Sequence, residues 1–324
     1  MHLRPAAADD AAPITDIYNS GIAEGGATFE TRPRTLEQTE ARLAATARYP
    51  IVVAEDDGHV IGWAGVSSYR SRACYAGIGE FSVYVRPGDR GRGAGRRLLA
   101  ALVDAARDSG YWKLVSRVFP FNVASLKAAR AVGFREAGTY EKHGFLAGRW
   151  QDVVIVERLI PENQTPTGVR FRRAVAEDWP AIAALLKDAA LPLQGADGHL
   201  EHFVVAVRDD ATVGCATYED YCSGAAGSSA AGLDSEQAVL LRSVALALAE
   251  RGTGAGRLLV DRVLDRARRG GATSAILLTT TAEAFFAHLG FTRITRDDVP
   301  AALLTSAEFT GACPASAVIM RRLL

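Results

Sequence analysis

Apolar residues along this chain switch between two periods, and that switching predicts its elements. Leu3 to Ala6 reads as a short strand, after which Ile14, Ile17 and Tyr18 fall on one helical face. Thr35 followed by Gln38 is a capping-box pair that opens a helix running through Leu43. Ile51 to Ala54 and Val60 to Val66 are β-rich runs joined by Asp56-Asp57-Gly58, a hairpin-turn signal. Phe81 to Val85 is another strand, and Leu98, Leu99, Leu102, Val103 and Ala106 form an amphipathic helical stripe. Leu114 to Val118, a helix from Ala124, and a strand at Val153 to Val156 complete the first half. The order, βα–αββ and then βαβαβ with a final strand, predicts an α/β (α+β) domain.

The same pattern then recurs. Leu3-Arg4-Pro5-Ala6 with Asp9-Asp10 is matched by Phe171-Arg172-Arg173-Ala174 with Glu177-Asp178. Val52-Val53-Ala54 leading to Val60-Ile61-Gly62 is matched by Val204-Val205-Ala206 leading to Thr212-Val213-Gly214. Arg90 to Gly95 is matched by Arg251 to Gly256, and Gly133-Phe134 by Gly290-Phe291. Four blocks in one order and at near-constant separation predict a duplicated domain. The expected domains are residues 1–160 and 169–324, joined by a polar, Pro-bearing linker at 161–168. Ser223 to Gly232, small and Gly-rich, reads as a flexible insertion in the second copy.

Composition narrows the class. Lys plus Arg and Asp plus Glu each number 37, so formal net charge is zero and the basic excess of a nucleic-acid binder is missing. No apolar run approaches the roughly 20 residues that span a bilayer, and the first residues lack a signal-peptide layout. Cys74, Cys215, Cys222 and Cys313 are scattered, with no metal-ligand spacing. These features predict a soluble, cytoplasmic protein without a metal centre, and no nucleic-acid or membrane partner.

The chemistry lies in a strand, then Arg90-Gly91-Arg92-Gly93-Ala94-Gly95, then an amphipathic helix. Glycines bring bare N–H groups close to a ligand, and the helix N-terminus adds free donors and a positive dipole, a site for pyrophosphate. A P-loop would need Gly-Lys followed by Ser or Thr. A dinucleotide fold would place its glycines after the first strand. Here the loop follows the fourth strand.

On these residues the chain resembles the GCN5-related N-acetyltransferase (GNAT) superfamily, whose signature is Arg or Gln, two residues, Gly, one residue, then Gly or Ala. Arg90, Gly93 and Gly95 fit it in one half, Arg251, Gly254 and Gly256 in the other. The resemblance implies two tandem GNAT domains, each with a mixed, centrally splayed sheet flanked by helices, and acetyl-CoA as co-substrate. It places the coenzyme pyrophosphate on Arg90, Gly91, Arg92, Gly93, Ala94, Gly95 and Arg96, and in the second copy on Arg251, Gly252, Thr253, Gly254, Ala255, Gly256 and Arg257. It lays the pantetheine arm along Phe81, Ser82, Val83, Tyr84 and Val85, and along Val244, Ala245 and Leu246. Asn122 and Ser125 are implied coenzyme contacts; Asn122 reads equally as a helix cap.

The first half further resembles phosphinothricin and arsinothricin N-acetyltransferases. The matching stretches are Thr28 to Pro33, Gly79 to Val85, Tyr111 to Val115 and Tyr140 to Gly144. An ammonium has no lone pair to attack a thioester, so acetylation needs a proton acceptor, and the resemblance implies Glu80. Backbone N–H groups at Ser82 to Tyr84 are the expected oxyanion donors. Many superfamily members carry a Tyr general acid where this chain has Ala129. A thiol with pKa about 8.5 can leave without one. The implied substrate is a small amino acid with an anionic phosphinate or arsinate, for which Arg70 and Arg72 are candidate ligands, Phe29 and Tyr75 pocket walls, and His143 a hydrogen-bonding partner.

The second half departs from this pattern. Aligning the glycine loops puts Leu241 opposite Glu80, so the carboxylate is lost. Leu240 to Val244, Thr279 to Phe286 and Glu308 through Ala317 resemble an acetyltransferase family associated with arsenic resistance. Cys313 reads as a structural thiol and Glu283 as solvent-facing. The second domain is therefore either an acetyltransferase of its own specificity or a non-catalytic coenzyme-binding module. Superfamily members often form homodimers, and no residue pattern here marks an interface.

Overall fold

Strand and helix periods alternate twice, and the chain accordingly divides into two units, Met1–Gln164 and Thr165–Leu324. The structure is a computed structural model that describes residues 1–165, 168–221, 237–314 and 316–324. The Gly-rich stretch at 223–232 lies outside the described residues. No helix among the described residues is long and apolar enough to cross a membrane.

The first unit contains β1 (His2–Pro5), α1 (Ala11–Glu24), α2 (Leu36–Ala44), β2 (Ile51–Asp56), β3 (His59–Ser68), β4 (Ile78–Val85), α3 (Ala94–Asp108), β5 (Lys113–Val118), α4 (Val123–Ala131), β6 (Arg135–Leu146) and β7 (Arg149–Leu159). Its seven strands run β1-β2-β3-β4-β5-β7-β6. Every pairing is antiparallel except β4 with β5, which α3 joins by a crossover. The α3 stripe of Leu98, Leu99 and Leu102 buries against Val52, Ala54, Ile61 and Val66 on one sheet face. Ile14 and Ile17 of α1 pack with Val53 and Trp63 on the other. Thr35 caps α2 with Gln38 as its reciprocal partner, and the β2–β3 turn carries positive φ at Asp57 and Gly58.

The second unit repeats this plan with β8 (Arg170–Arg173), α5 (Trp179–Asp188), β9 (Val204–Arg208), β10 (Ala211–Asp220), β11 (Ala238–Leu246), α6 (Ala255–Arg269), β12 (Ser274–Thr279), α7 (Glu283–His288), β13 (Thr292–Arg293) and β14 (Val318–Leu323). Its order is β13-β14-β12-β11-β10-β9-β8, with β11 and β12 the parallel pair. Both sheets are thus mixed and helix-flanked.

Two elements were not legible beforehand. β6 is exposed at every position from Arg135 to His143, so it carries no apolar period. Within the 161–168 stretch, Asn163 is buried and donates from Nδ2 to the carbonyls of Arg107 and Tyr111, each at 2.7 Å. The polar side chain is there to satisfy the end of α3, not to be solvated.

The duplicated opening motif has a common physical basis. Arg4 grips Asp10 through both oxygens at 2.7 and 2.9 Å, and the Ala7 N–H donates to the same carboxylate. Arg172 and Val175 do the same to Asp178. Burial alone would raise both carboxyl pKa values, but the guanidinium and N–H donors outweigh it and hold both below the ordinary range. A depressed carboxyl contributes stability above its unfolded pKa and loses it as pH falls through the folded one. Asp10→Asn/Asp178→Asn is therefore expected to be less stable at neutral pH, with a shallower further loss below about pH 4. Acid-unfolding curves of the two chains check this; parallel curves would contradict it.

Candidate active site

The two parallel strands of the first unit stay together for only three pairs, Ile78↔Lys113, Gly79↔Leu114 and Glu80↔Val115. Close packing at that apex depends on glycine: a Cβ on Gly79 would sit 2.4 Å from Val66 Cγ1. Beyond Glu80 the strands part and leave a cleft of about 320 Å³. Its walls include Glu80, Phe81, Ser82, Val83 and Tyr84 from β4, and Ser116, Arg117 and Val118 from β5. Phe119, Asn122, Ser125 and Ala129, the Ala27–Glu30 segment and His143 complete them.

Glu80 therefore stands at the apex of the splay, its side chain 25% exposed. Arg117 holds it, with Nε 3.1 Å from Oε1 and Nη2 on the same oxygen. Arg117 is a site residue that sequence reading passed over. Its signal was a polar Ser116-Arg117 pair between the apolar Leu114-Val115 and Val118 of β5. Phe29 packs on Phe119 at 4.8 Å and meets His143 edge-on at 6.1 Å, which brings two expected substrate-site residues together. Tyr84 stacks on Trp63 and donates to the Ala27 carbonyl at 3.3 Å. Burial drives its hydroxyl pKa well up, so it acts as a donor and not as a phenolate. Asn122 is the helix cap that one of its two readings expects. It accepts from the Ser125 N–H at 3.1 Å as the α4 cap, and it also faces the cleft.

Other expected residues lie elsewhere. Arg70, Arg72 and Tyr75 sit on the segment leading into β4, outside the cleft lining, with Arg70 against the Tyr69 and Tyr75 rings. The cleft lining also stops short of Val85 and of Arg90 to Arg96. Those residues form the turn into α3, where Gly91 and Gly93 have φ of 81° and 83°. An L side chain is strained there, although a Cβ would meet nothing within 4 Å. Among the described residues no side chain caps the helix at Gly93, so no capping side chain occupies its first N–H donors, the groups by which a helix start holds a pyrophosphate. Of the arginines, Arg90 pairs with Glu24, and Arg92 with Asp56 and Asp89. Arg92 thus spends its charge on protein carboxylates, whereas Arg96 is exposed at the helix start.

In the second unit β11 and β12 pair at Ala238↔Ser274, Val239↔Ala275 and Leu240↔Ile276 before parting. Leu240, not Leu241, holds the place of Glu80. The one-residue correction comes from a β-bulge: β10–β11 register shifts between Cys215↔Ala245 and Thr217↔Arg242, with Ser243 at φ 58°. The cavity here is larger, about 780 Å³, and is lined by Val244, Ala245, Leu246, Arg251, Gly252, Gly254, Gly256 and Arg257. Two expected residues do not line it. Thr253 is exposed, its hydroxyl donating to the Glu250 carbonyl at 2.8 Å, and Ala255 is buried in the core.

At the far end of this cavity lies Arg242, whose side chain is only 3% exposed. Glu219 and Glu308 both pair with it, and its Nη2 donates to the Gln194 carbonyl at 2.8 Å. Cys313 lines the cavity too, and burial raises its thiol pKa. Glu283 pairs with Arg293 and is not among the lining residues.

Known proteins match both units. Residues 14–134 match the Acetyltransferase (GNAT) family and residues 199–293 an Acetyltransferase (GNAT) domain. Phosphinothricin N-acetyltransferase of Alcaligenes faecalis is 38% identical over 48% of this chain and 81% of its own length. An L-methionine sulfoximine/L-methionine sulfone acetyltransferase of Salmonella typhimurium is 34% identical over 51% of this chain and 98% of its own. A phosphinothricin acetyltransferase of Sinorhizobium meliloti, solved in complex with AcCoA, is 35% identical, covering 49% of this chain and 88% of that one at a TM-score of 0.46. With a GNAT match in each unit and a relative matched over four-fifths of its length, this chain belongs to the GNAT acetyltransferase family and is an N-acetyltransferase with two GNAT domains.

Proposed function

We propose that the first unit, residues 1–160, works in the cytoplasm and transfers the acetyl group of acetyl-CoA to the amino group of a small anionic amino acid. Phosphinothricin is the first candidate and arsinothricin the second. The observation that carries this reading is Glu80, a carboxylate at the apex of the β4–β5 splay, on the strand that leads to the glycine loop. The names of two relatives, which act on phosphinothricin and methionine sulfoximine, support the substrate class.

The open edge of β4 from Phe81 to Tyr84 accommodates the pantetheine arm, and the α3 N-terminus with Gly91 and Gly93 accommodates the pyrophosphate. Bound there, acetyl-CoA supplies an activated acyl carbon. Glu80 takes the proton from the substrate ammonium, freeing the lone pair. Arg117 keeps the Glu80 carboxylate aimed into the cleft. Phe29 and Phe119 wall off water, and backbone N–H groups of the parted β4 edge meet the developing oxyanion. The thiolate leaves and takes a proton from solvent.

Purified chain with acetyl-CoA and L-phosphinothricin is expected to release thiol and N-acetylphosphinothricin, selectively over a panel of ordinary amino acids. A specific observation supports a second reading, acetylation of another metabolite amine: Arg70 and Arg72 lie outside the cleft lining. Turnover of another panel amine and none of phosphinothricin decides for it.

A further inference from the structure

The second unit has lost the strand carboxylate, yet its cavity is the larger of the two and reaches from the glycine loop to Arg242. This inference rests on the reading that the second glycine loop holds a coenzyme A thioester, as the first does. Three features of the far end then bear on chemistry. Ser243 lines the cavity, is 7% exposed, and its Oγ has no hydrogen-bond partner among the described residues. A buried hydroxyl left without a partner costs free energy unless a ligand satisfies it. Ser243 also sits on the bulge that takes β11 out of its ladder, where the two parallel strands part. That is where an acyl carbonyl on the coenzyme would lie.

The second feature is the lining itself. Leu191, Pro192, Leu278, Phe285 and Ala317 give it apolar walls, with Thr279, Thr280 and Thr281 as neutral polar neighbours. Among the described residues no Asp, Glu or His lines it. The third feature is that the carboxylates beside Arg242, Glu219 and Glu308, are already committed to its guanidinium. An alkylammonium acceptor would find no free base here. An amine that is neutral at physiological pH needs none.

We propose that the second unit is a separate acyl-transfer site for weakly basic, apolar amines of the arylamine class, with the Ser243 hydroxyl as donor to the thioester oxygen. The neutral nitrogen attacks the acyl carbon, and Ser243 Oγ–H donates to the oxyanion that forms. The nitrogen of the tetrahedral intermediate is now cationic and strongly acidic. As the C–S bond breaks, its proton passes to the leaving thiolate, giving amide and free thiol with no external base. The two units thereby divide their acceptors by proton inventory: a carboxylate for ammonium substrates in one, a hydroxyl and no base for neutral amines in the other.

The test uses the full chain carrying Glu80→Gln, with acetyl-CoA and either para-chloroaniline or benzylamine, an aromatic of similar size that is protonated at neutral pH. The expected result is N-acetyl-chloroaniline at a rate flat across the neutral range, with benzylamine slower and rising with pH. Adding Ser243→Ala lowers chloroaniline turnover by about 10²–10³-fold. Ser243→Gly, which suits the positive φ, has the same effect. Calorimetry finds two acetyl-CoA sites per chain in all three proteins. Faster benzylamine turnover at neutral pH, no effect of either Ser243 variant, or two bound coenzymes without arylamine product would each overturn the acceptor assignment. One bound coenzyme per chain would overturn the underlying reading of the second glycine loop, and the proposal with it.

Discussion

Glu80→Gln is expected to lower the first unit's kcat by about 10²–10⁴-fold, the range a positioned general base contributes. The coenzyme's binding constant should change little, because its pyrophosphate sits on the glycine loop outside the cleft that Glu80 lines and its pantetheine arm meets β4 through backbone, not through the Glu80 side chain. The amide is nearly isosteric, and the side chain is a quarter exposed, so the fold should tolerate the exchange. The residual activity should climb with pH, since solvent deprotonation of the substrate amine replaces the missing base. Steady-state kinetics with L-phosphinothricin across the pH range, beside calorimetry with acetyl-CoA, makes the measurement. Full turnover at neutral pH would remove Glu80 from the mechanism. A fall in coenzyme affinity alone would make it a binding residue.

Arg242→Met should destabilise the second unit by about 3–5 kcal/mol, the cost of stranding buried charge. Glu219 and Glu308 are 3% and 6% exposed at the side chain, and both pair with this one guanidinium, Glu219 also accepting from the Tyr221 hydroxyl at 2.5 Å. Burial already raises the Glu308 carboxyl pKa while Arg242 pulls it down, so loss of the arginine drives it toward the protonated acid. Replacing the whole set, Arg242→Met with Glu219→Leu and Glu308→Leu, should recover most of that loss, because no ion is left to desolvate. Two units in one chain make a single melting temperature ill-defined. Amide exchange along β11 therefore gives the clearer readout. Protection within about 1 kcal/mol of the parent in Arg242→Met would show that the cluster is more hydrated than its burial implies.

Local rules made much of this protein legible from residues alone. The α3 stripe, the Thr35–Gln38 cap and the Asp57-Gly58 turn all form where their periods and propensities put them. Each depends on contacts within a few residues or on burial of one face. The duplication was equally legible, since Arg4–Asp10 and Arg172–Asp178 build the same part-buried pair at the start of each unit. Residues outside those rules were harder to place. β6 pairs β7 through backbone while showing solvent every side chain to His143, so its sequence has no period to detect. Asn163 looked like linker and instead satisfies two buried carbonyls from α3 and the turn after it.

By itself, the sequence determined the fold family, the two glycine loops and the strand on which Glu80 lies, because glycine spacing and hydrophobic period act locally. Tertiary structure alone decided which side chains meet. The parting of β4 and β5 brings Arg117 onto Glu80 from 37 positions away, and a single-residue bulge at Ser243 moves Leu240 into the place that counting gave to Leu241. A strand's period of two makes every such slip exchange one face for the other. Register and splay are properties of paired strands, settled by packing between segments distant in the chain.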